Sequence, residues 1–377
     1  MQNRFFPEIH GNFGFGCMRL PMKSGEVDYA EFSRMADAFL DAGFNYFDTA
    51  HGYLGGKSET AIRDCVAKRY DRSRFLLTDK LTDPYFKKQE DIRPFFESQL
   101  KACGVDYFDF YLMHAQDKAN YEKFMRCKAY ETAYAFKKEG LIRHFGISFH
   151  DKADVLDRIL FEHPEIEIVQ IQFNYVDYED ASVESRKVYE VCEKHNKPVI
   201  VMEPVKGGSL VNLPEEAQKV FDDLHGGSNA SYALRFAASF PSMAMVLSGM
   251  SNMDQMRDNL SAMHPFRPLD EREMQAVRDV CGIFKSLNLI PCTACRYCIE
   301  ENHCPKEILI PDQFAALNSH EAFHNWNSAF YYEEVLTVGH GKASDCIKCG
   351  KCEKVCPQHL KIRELLLKVA AAFEKQS

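Results

Sequence analysis

The sequence predicts an α/β protein, a (β/α)₈ barrel followed by a smaller, mainly helical domain. Three observations lead to this fold class. Eight short β-rich runs alternate with segments of helical spacing, they extend over about 250 residues, the usual size of such a barrel, and most of the 14 cysteines crowd into the last part of the chain. We assign residues 1–285 to the barrel and 286–377 to the second domain, with the boundary near the end of a helix predicted over Asp270–Leu289.

The predicted strands leave room for a helix between most neighbours. Gly or Asn stop signals end several intervening helices, for example at Gly43, Gly104, Gly140 and Asn196. An open doubly wound sheet is the alternative, and it would normally carry a G-x-G-x-x-G loop after a strand. Gly14-Phe15-Gly16 lacks the third glycine, so we interpret it as strand. The predicted strands are Phe13–Cys17, Phe44–Asp48, Phe75–Lys80, Phe108–His114, His144–Ser148, Ile168–Phe173, Val199–Glu203 and Met245–Gly249.

Composition and charge exclude several classes of protein. The 46 Lys+Arg and 55 Asp+Glu residues give a formal net charge of −9, which argues against a nucleic-acid-binding surface. No apolar run approaches the ~20 residues that span a bilayer, so we expect no membrane association. The opening Met1–Pro7 lacks the apolar core of a signal peptide, and we expect a cytoplasmic protein. Cysteines in that compartment favour metal or redox chemistry over disulfides.

Four side chains with acid–base chemistry fall where the second, third and fourth predicted strands end. They are Asp48, Lys80 and His114 at the strand ends and Tyr53 in the loop after the second strand. Reactive groups of a barrel sit at this edge. An ammonium beside a tyrosine makes the phenol a better acid, and an aspartate holds that ammonium charged. Together these side chains form a proton donor for a carbonyl oxygen. Taken singly, each has a plainer interpretation as a helix cap, a solvated charge or a buried histidine.

The motifs around these residues resemble those of the aldo-keto reductases in order and spacing. They are Phe47-Asp48-Thr49-Ala50 with Tyr53 and Ser58-Glu59, Thr78-Asp79-Lys80, Asp109 with Tyr111 and His114, and Gly140-Leu141-Ile142-Arg143 with Gly146-Ile147-Ser148. The resemblance implies an NAD(P)H-dependent oxidoreductase that reduces an aldehyde or ketone, or runs the reverse reaction on an alcohol. It assigns Tyr53 as the general acid, Lys80 and Asp48 as the groups that tune it, and His114 as the group that orients the substrate.

The same resemblance implies a set of contacts to the dinucleotide. Two positions depart from the family pattern, since Phe149 stands where asparagine is usual and Met202 where an aromatic residue often lies under the nicotinamide. The cations that often hold a 2′-phosphate in the last loop are replaced by Gly249 and Gln255, so NADH and NADPH both remain candidates. The implied cofactor residues are Gly16, Met18, Ser148, Gln170, Gly207, Leu210, Gly249, Gln255, Asp258 and Asn259.

Eight cysteines carry the chemistry of the second domain. Cys292, Cys295 and Cys298 form C-x₂-C-x₂-C, followed by Cys304-Pro305, and Cys346, Cys349, Cys352 and Cys356-Pro357 form C-x₂-C-x₂-C-x₃-C-P. Three thiolates at this spacing reach three irons of a cubane, and a fourth, remote cysteine completes it. Two [4Fe–4S] clusters are therefore expected. Zinc, which needs four thiolates per site, is the alternative metal.

This part of the chain resembles the two-cluster bacterial ferredoxins. The resemblance implies that Cys356 completes the cluster of Cys292, Cys295 and Cys298, and that Cys304 completes the other. The stretch between the motifs, 311–336, has helical spacing with Phe314, Leu317, Phe323 and Trp326 as expected apolar anchors, so a helical di-cluster fold and a small sheet-bearing one both fit.

Three functions fit the two parts together. In the first, the barrel is a carbonyl reductase and the clusters stabilise the chain or contact another protein. In the second, the clusters carry electrons between a ferredoxin-like partner protein and the barrel. In the third, the barrel is an idle scaffold, against which the complete set of Asp48, Tyr53, Lys80 and His114 argues.

Overall fold

The chain divides into two compact units in the computed structural model. The structure describes residues 3–180, 183–224, 226–287, 289–300, 303–323 and 327–374. The first unit comprises Met1–Pro204 and Ala230–Leu269, and the second comprises Val205–Asn229 and Asp270–Ser377. The domain boundary after residue 285 stays a prediction. Among the described helices, none is both long and apolar enough to cross a bilayer.

Eight parallel strands of the first unit close into a barrel, as predicted, and this excludes the open sheet. Each strand pairs with its neighbours in chain order, and β1 closes the ring by pairing with both β2 and β8. The strands are β1 (Phe13–Gly16), β2 (Tyr46–Asp48), β3 (Leu76–Leu81), β4 (Phe108–Gln116), β5 (Ile142–Phe149), β6 (Ile168–Gln172), β7 (Val199–Met202) and β8 (Met243–Gly249). A two-residue hairpin, Met22–Lys23 with Glu26–Val27, follows β1.

Helices connect the strands of the barrel. They begin where local capping allows: the Asp28 carboxylate accepts from the backbone N–H groups of Ala30 and Glu31 at the start of the first helix, whose apolar face is buried. The helices are α1 (Tyr29–Asp41), α2 (Lys57–Ile62), α3 (Gln89–Cys103), α4 (Lys118–Arg126), α5 (Ala129–Lys138), α6 (Ala153–Glu162), α7 (Ser185–Lys194), α8 (Glu215–Asp222), α9 (Asn229–Ala238) and α10 (Met253–Met263).

The amino-terminal segment covers part of the barrel core. Phe6 and Ile9 are buried with inward side chains of the strands, among them Phe110 and Met245. The Asn3 amide donates to the backbone oxygen of Ala244 at 2.6 Å. These contacts anchor the segment because a buried amide that finds its acceptor avoids the cost of desolvation.

The second unit is helical within its described residues, in agreement with the mainly helical prediction. It contains α8 and then α11 (Glu271–Leu287), α12 (Tyr297–Glu300), α13 (Ile310–Phe323), α14 (Asn327–Tyr331), α15 (Lys351–Lys354) and α16 (Ile362–Phe373). The predicted anchors Phe314 and Leu317 lie in its core. Trp326 and the side chain of Phe323 lie outside the described residues.

Candidate active site

The polar residues that end successive strands of the barrel share one rim. Asp48 is the last residue of β2, Lys80 lies one residue before the end of β3, and His114 lies near the end of β4. All three side chains are buried. Parallel strands that close a barrel bring their carboxyl ends to the same edge, so residues far apart in the chain become neighbours.

The Lys80 ammonium joins the predicted acid–base residues. It donates to a carboxylate oxygen of Asp48 at 2.7 Å and to the backbone oxygen of Thr49 at 2.7 Å. Its third contact is with the Tyr53 hydroxyl at 3.4 Å, longer than the usual range for a hydrogen bond from nitrogen to oxygen. The structure thus brings Asp48, Lys80 and Tyr53 into one connected group.

Two opposing effects act on the Asp48 carboxyl. Burial raises its pKa, whereas the Lys80 ammonium opposes that rise by favouring the ionised form. The Gln170 amide adds a weaker contact at 3.4 Å from the second carboxylate oxygen. The carboxylate and the ammonium neutralise each other inside the rim.

The ring of His114 on β4 faces the ring of Tyr53, which lies in the loop after β2. The two rings lie edge to face, with centroids 6.1 Å apart. Burial lowers the pKa of His114 well below its usual value, and the positive charge of Lys80 acts in the same direction. The imidazole is therefore neutral near pH 7, with one nitrogen as donor and the other as acceptor.

Thr82 contacts one of the two imidazole nitrogens of His114. Its hydroxyl lies 2.8 Å from Nδ1 of His114 and 3.3 Å from the backbone oxygen of Lys80. Either atom can be the donor in the shorter contact, since the roles depend on the imidazole tautomer, and the contact orients the ring in both cases. The sequence reasoning missed Thr82. The period of two along β3, which places residues 78, 80 and 82 on one face, was the signal that could have found it.

A buried pair of carboxyl groups lies behind Lys80. The ligand atoms of Glu59, Asp79 and Cys103 lie within 4.8 Å of one another. Burial raises the pKa of Asp79 well above its usual value, and the neighbouring Glu59 raises it further. The Gln99 amide holds Asp79 at 2.9 Å and the backbone oxygen of Lys80 at 3.0 Å. This layer supports the backbone from which Lys80 projects.

The predicted nicotinamide contacts lie on neighbouring strands. Ser148 and Gln170 are register partners on β5 and β6. The Ser148 hydroxyl accepts from the Ala115 backbone N–H at 2.8 Å, which leaves its own hydrogen for an acceptor. A hydroxyl and an amide side by side are suitable partners for a carboxamide, so these residues fit the group that the resemblance implies.

Other predicted cofactor residues of this unit lie around β1 and β8. Gly16 is the register partner of both Asp48 and Gly249, and Met18 lies in the helical turn Cys17–Arg19. Gln255 accepts from the Ser251 backbone N–H at 2.7 Å at the start of α10. Asp258 and Asn259 follow on the same helix, and the Asn259 amide donates to the Ser248 hydroxyl at 2.8 Å.

Gly207 and Leu210 belong to the second unit. Leu210 is fully buried. Gly207 has a φ of +64° and approaches the loop of the first cysteine motif so closely that a Cβ atom would lie 2.2 Å from the Thr293 backbone oxygen. Only glycine fits there.

The eight clustered cysteines line two separate small cavities. Cys292, Cys295, Cys298 and Cys356 face one cavity, together with apolar side chains such as Phe314. Cys304, Cys346, Cys349 and Cys352 face the other. This is the grouping that the ferredoxin resemblance implies. Burial and neighbouring thiols raise the pKa of Cys298 to about 12, so this thiol keeps its proton until a bound metal displaces it. Four sulfur donors around each cavity fit an iron–sulfur cluster.

Comparisons with known proteins agree with this geometry. The profile of the Aldo/keto reductase family matches residues 12–281. The profile of the 4Fe-4S dicluster domain matches residues 291–360.

Individual relatives and solved structures are similar over the barrel. An uncharacterized oxidoreductase of Bacillus subtilis, YqkF, is 24% identical over 70% of this chain and 90% of its own length. Another, from Schizosaccharomyces pombe, is 25% identical over 67% of this chain and 82% of its own length. The holo form of an aldo-keto reductase from Bacillus halodurans superposes with a TM-score of 0.59 at 23% identity, over 74% of this chain and 95% of that one. An aldo-keto reductase from Klebsiella pneumoniae in complex with NADPH gives 0.58 at 19% identity, over 71% and 90%.

The sequence motifs, the closed barrel and the family profile all indicate the same family over most of the chain. The chain belongs to the aldo/keto reductase family and carries a 4Fe-4S dicluster domain after the barrel.

Proposed function

We propose that the barrel transfers hydride between a nicotinamide dinucleotide and a small carbonyl or alcohol substrate, with Tyr53 as the general acid and base. One observation carries this proposal: the buried Lys80 ammonium contacts both the Asp48 carboxylate and the Tyr53 hydroxyl. An ammonium in that position stabilises the negative charge that the phenol oxygen acquires as its proton leaves.

Each residue has a defined task in this reaction. The nicotinamide supplies or accepts the hydride when it is bound. Tyr53 donates its proton to the substrate oxygen, and Asp48 keeps Lys80 charged and in place. The neutral His114 donates a hydrogen bond from Nε2 to the same oxygen, in the orientation that Thr82 sets.

The proposed dinucleotide site includes residues of neighbouring strands. Ser148 and Gln170 are proposed to hold the carboxamide, and the positions around Gly16, Gly249 and α10 to hold the rest of the molecule. The Klebsiella pneumoniae structure contains NADPH, which favours a nicotinamide dinucleotide here as well. The positions of Gly249 and Gln255 carry no cation that could hold the 2′-phosphate of NADPH. The proposal therefore includes both NADH and NADPH. A cytoplasmic location also stays a prediction.

A single substitution tests the general acid. Tyr53→Phe is expected to lower kcat for carbonyl reduction by about 10²- to 10⁴-fold while NADPH binding is retained. Tyr29→Phe is the matched control, because Tyr29 is 40% exposed at the start of α1. Full reductase activity in Tyr53→Phe would contradict the assignment.

The two cavities favour a second candidate function, electron transfer between a redox partner protein and the barrel. Four cysteines face each cavity, and Cys349 is exposed, which suits contact with a partner. Iron–sulfur clusters carry one electron each, whereas a hydride carries two. An anaerobic titration with NADH and NADPH separates the two functions. Loss of the cluster absorbance without added flavin supports electron transfer, and unchanged absorbance supports clusters that only stabilise the fold.

A further inference from the structure

A groove rich in cations lies on the barrel unit, between the start of α3 and the junction of α4 and α5. We call it the basic groove. It is open to solvent and has a volume of about 610 Å³. Its lining residues are Lys87, Lys88, Gln89, Glu90, Lys123, Arg126, Cys127 and Lys128. The two segments follow β3 and β4, the strands that carry Lys80 and His114.

The charges of the basic groove are not balanced by its own residues. Lys123 forms an ion pair with Asp83. Lys87, Lys88, Arg126 and Lys128 form no ion pair with any residue that the structure describes, and Glu90 is the one acidic side chain in the lining. Four unpaired cations in one groove stand out in a chain whose net charge is −9.

Lys123 lies near another cation of the groove, Arg126. Burial is the main cause that lowers the pKa of Lys123, the Cys127 thiol opposes it, and the charge of Arg126 lowers it slightly further. Bringing like charges together costs free energy that a bound anion recovers. The groove therefore has a physical reason to take up negative charge.

Two contacts that involve no charged group hold the two sides of the basic groove together. The Cys127 thiol lies 3.3 Å from the backbone oxygen of Lys87, which ties the two segments together. Phe86 packs edge to face on Phe124 with centroids 4.9 Å apart. These contacts hold the segments that carry the cations together before a ligand binds. Binding then costs less conformational entropy, because these segments are already ordered.

The side chains, rather than the helix end, must recognise the anion. Asp91 accepts from the backbone N–H groups of Lys87 and Lys88 at 2.9 and 3.2 Å, so these two donors at the start of α3 are already occupied. Lysine ammoniums and the arginine fork remain, and both bind phosphoryl oxygens well.

We propose that the basic groove binds the phosphoryl groups of a small molecule that carries at least two negative charges. The volume lies within the range of small-molecule sites, about 300–1,000 Å³. A single carboxylate carries one negative charge, which is too little to neutralise the four unpaired cations. The ligand is either the phosphorylated end of the carbonyl substrate or a separate phosphorylated effector. Lys87 follows Thr82 by five residues, at most about 18 Å of extended chain, and the length of the lysine side chains shortens the distance that a substrate has to bridge.

Calorimetric titration of the full-length holoprotein with inorganic pyrophosphate tests the proposal. Lys88→Gln/Lys128→Gln neutralises cations at the starts of α3 and α5 and is expected to weaken binding about tenfold or more. Lys101→Gln/Lys138→Gln removes two charges near the opposite ends of the same helices and is expected to bind like the wild type. Equal binding by all three proteins, or no binding by the wild type, overturns the proposal.

Two further measurements complete the test. Binding to the wild type should weaken as NaCl is raised from about 0.05 to 0.5 M, because screening reduces the attraction between charges. Reduction of erythrose 4-phosphate and of erythrose distinguishes the two sources. A raised KM for the phosphate ester alone in Lys88→Gln/Lys128→Gln indicates the substrate's end, and a pyrophosphate effect on kcat for both aldehydes indicates an effector. The aldehyde reductions depend on the proposed function, whereas the calorimetric titration does not. Failure of the proposed function and failure of the anion-binding proposal are therefore distinguishable.

Discussion

The ammonium of Lys80 and the carboxylate of Asp48 form an ion pair of 2.7 Å in which both side chains are buried. The two residues come from neighbouring strands and are 32 positions apart in the chain. Buried ion pairs are costly to assemble, and their individual charges are costlier to leave alone. The pair therefore holds one positive charge beside the Tyr53 hydroxyl without a net charge in the rim.

Breaking this ion pair should destabilise the fold through the charge left behind. Lys80→Met leaves Asp48 buried and unpaired, with an expected loss of about 3 to 5 kcal/mol in the free energy of unfolding. The double variant Asp48→Asn/Lys80→Met should recover part of that loss. Urea unfolding of the three proteins with matched iron content measures the difference. A double variant less stable than Lys80→Met would contradict the pairing.

Thr82 should affect catalysis through the imidazole alone. Thr82→Val removes the hydroxyl that contacts Nδ1 of His114, and we expect kcat/KM for carbonyl reduction to fall about tenfold, the value of one hydrogen bond. Thr82→Ser keeps the hydroxyl and should retain most of the activity. The dissociation constant for NADPH should be the same in all three proteins. Equal loss in both variants would show that the hydroxyl has no such role.

Asp79 should make stability depend on pH. Because its pKa is raised in the folded state, the folded chain binds more protons than the unfolded chain, and stability falls as pH rises from the ordinary aspartate value toward the raised one. Asp79→Asn removes this ionisation. Its urea midpoint relative to the wild type should therefore increase from pH 5 to pH 8. A difference that is constant over this range would show that Asp79 does not titrate there.

Cysteine substitutions in pairs test how the sulfur ligands are shared. Cys292→Ala/Cys356→Ala removes two ligands from one cavity, and about four iron atoms per chain should remain. Cys292→Ala/Cys304→Ala removes one ligand from each cavity and should leave almost none. Iron and acid-labile sulfide in anaerobic preparations give the result. The same iron content in both variants would contradict the grouping.

Alanine substitutions at Gly207 and Gly208 distinguish the effect of backbone strain from that of a steric clash. Both have a positive φ, +64° and +102°, but a Cβ atom would clash with the Thr293 backbone oxygen only at Gly207 and has open space at Gly208. Gly207→Ala should therefore displace the loop that carries Cys292 and Cys295, and should lose iron in air faster than Gly208→Ala. The decay of cluster absorbance measures this. Equal rates would show that the contact does not support the loop.

Much of the architecture was readable from local pattern. The alternation of β-rich and helical runs predicted the closed barrel, because each strand and its following helix bury apolar faces of characteristic period. The same pattern placed Asp48, Lys80 and His114 at strand ends, and barrel geometry then gathers strand ends at one rim. The cysteine spacing predicted metal chemistry since three of the four ligands of each set are close in the chain.

What the sequence by itself determined is thus the order of the elements and the chemistry of residues near one another in the chain. Only the tertiary structure decided the rest. The contact of Thr82 with His114 and the contact of the Cys127 thiol with the backbone of Lys87 at the basic groove join segments that are remote in the chain. Their contacts depend on how helices and strands pack, and packing is a property of whole surfaces that no local spacing records.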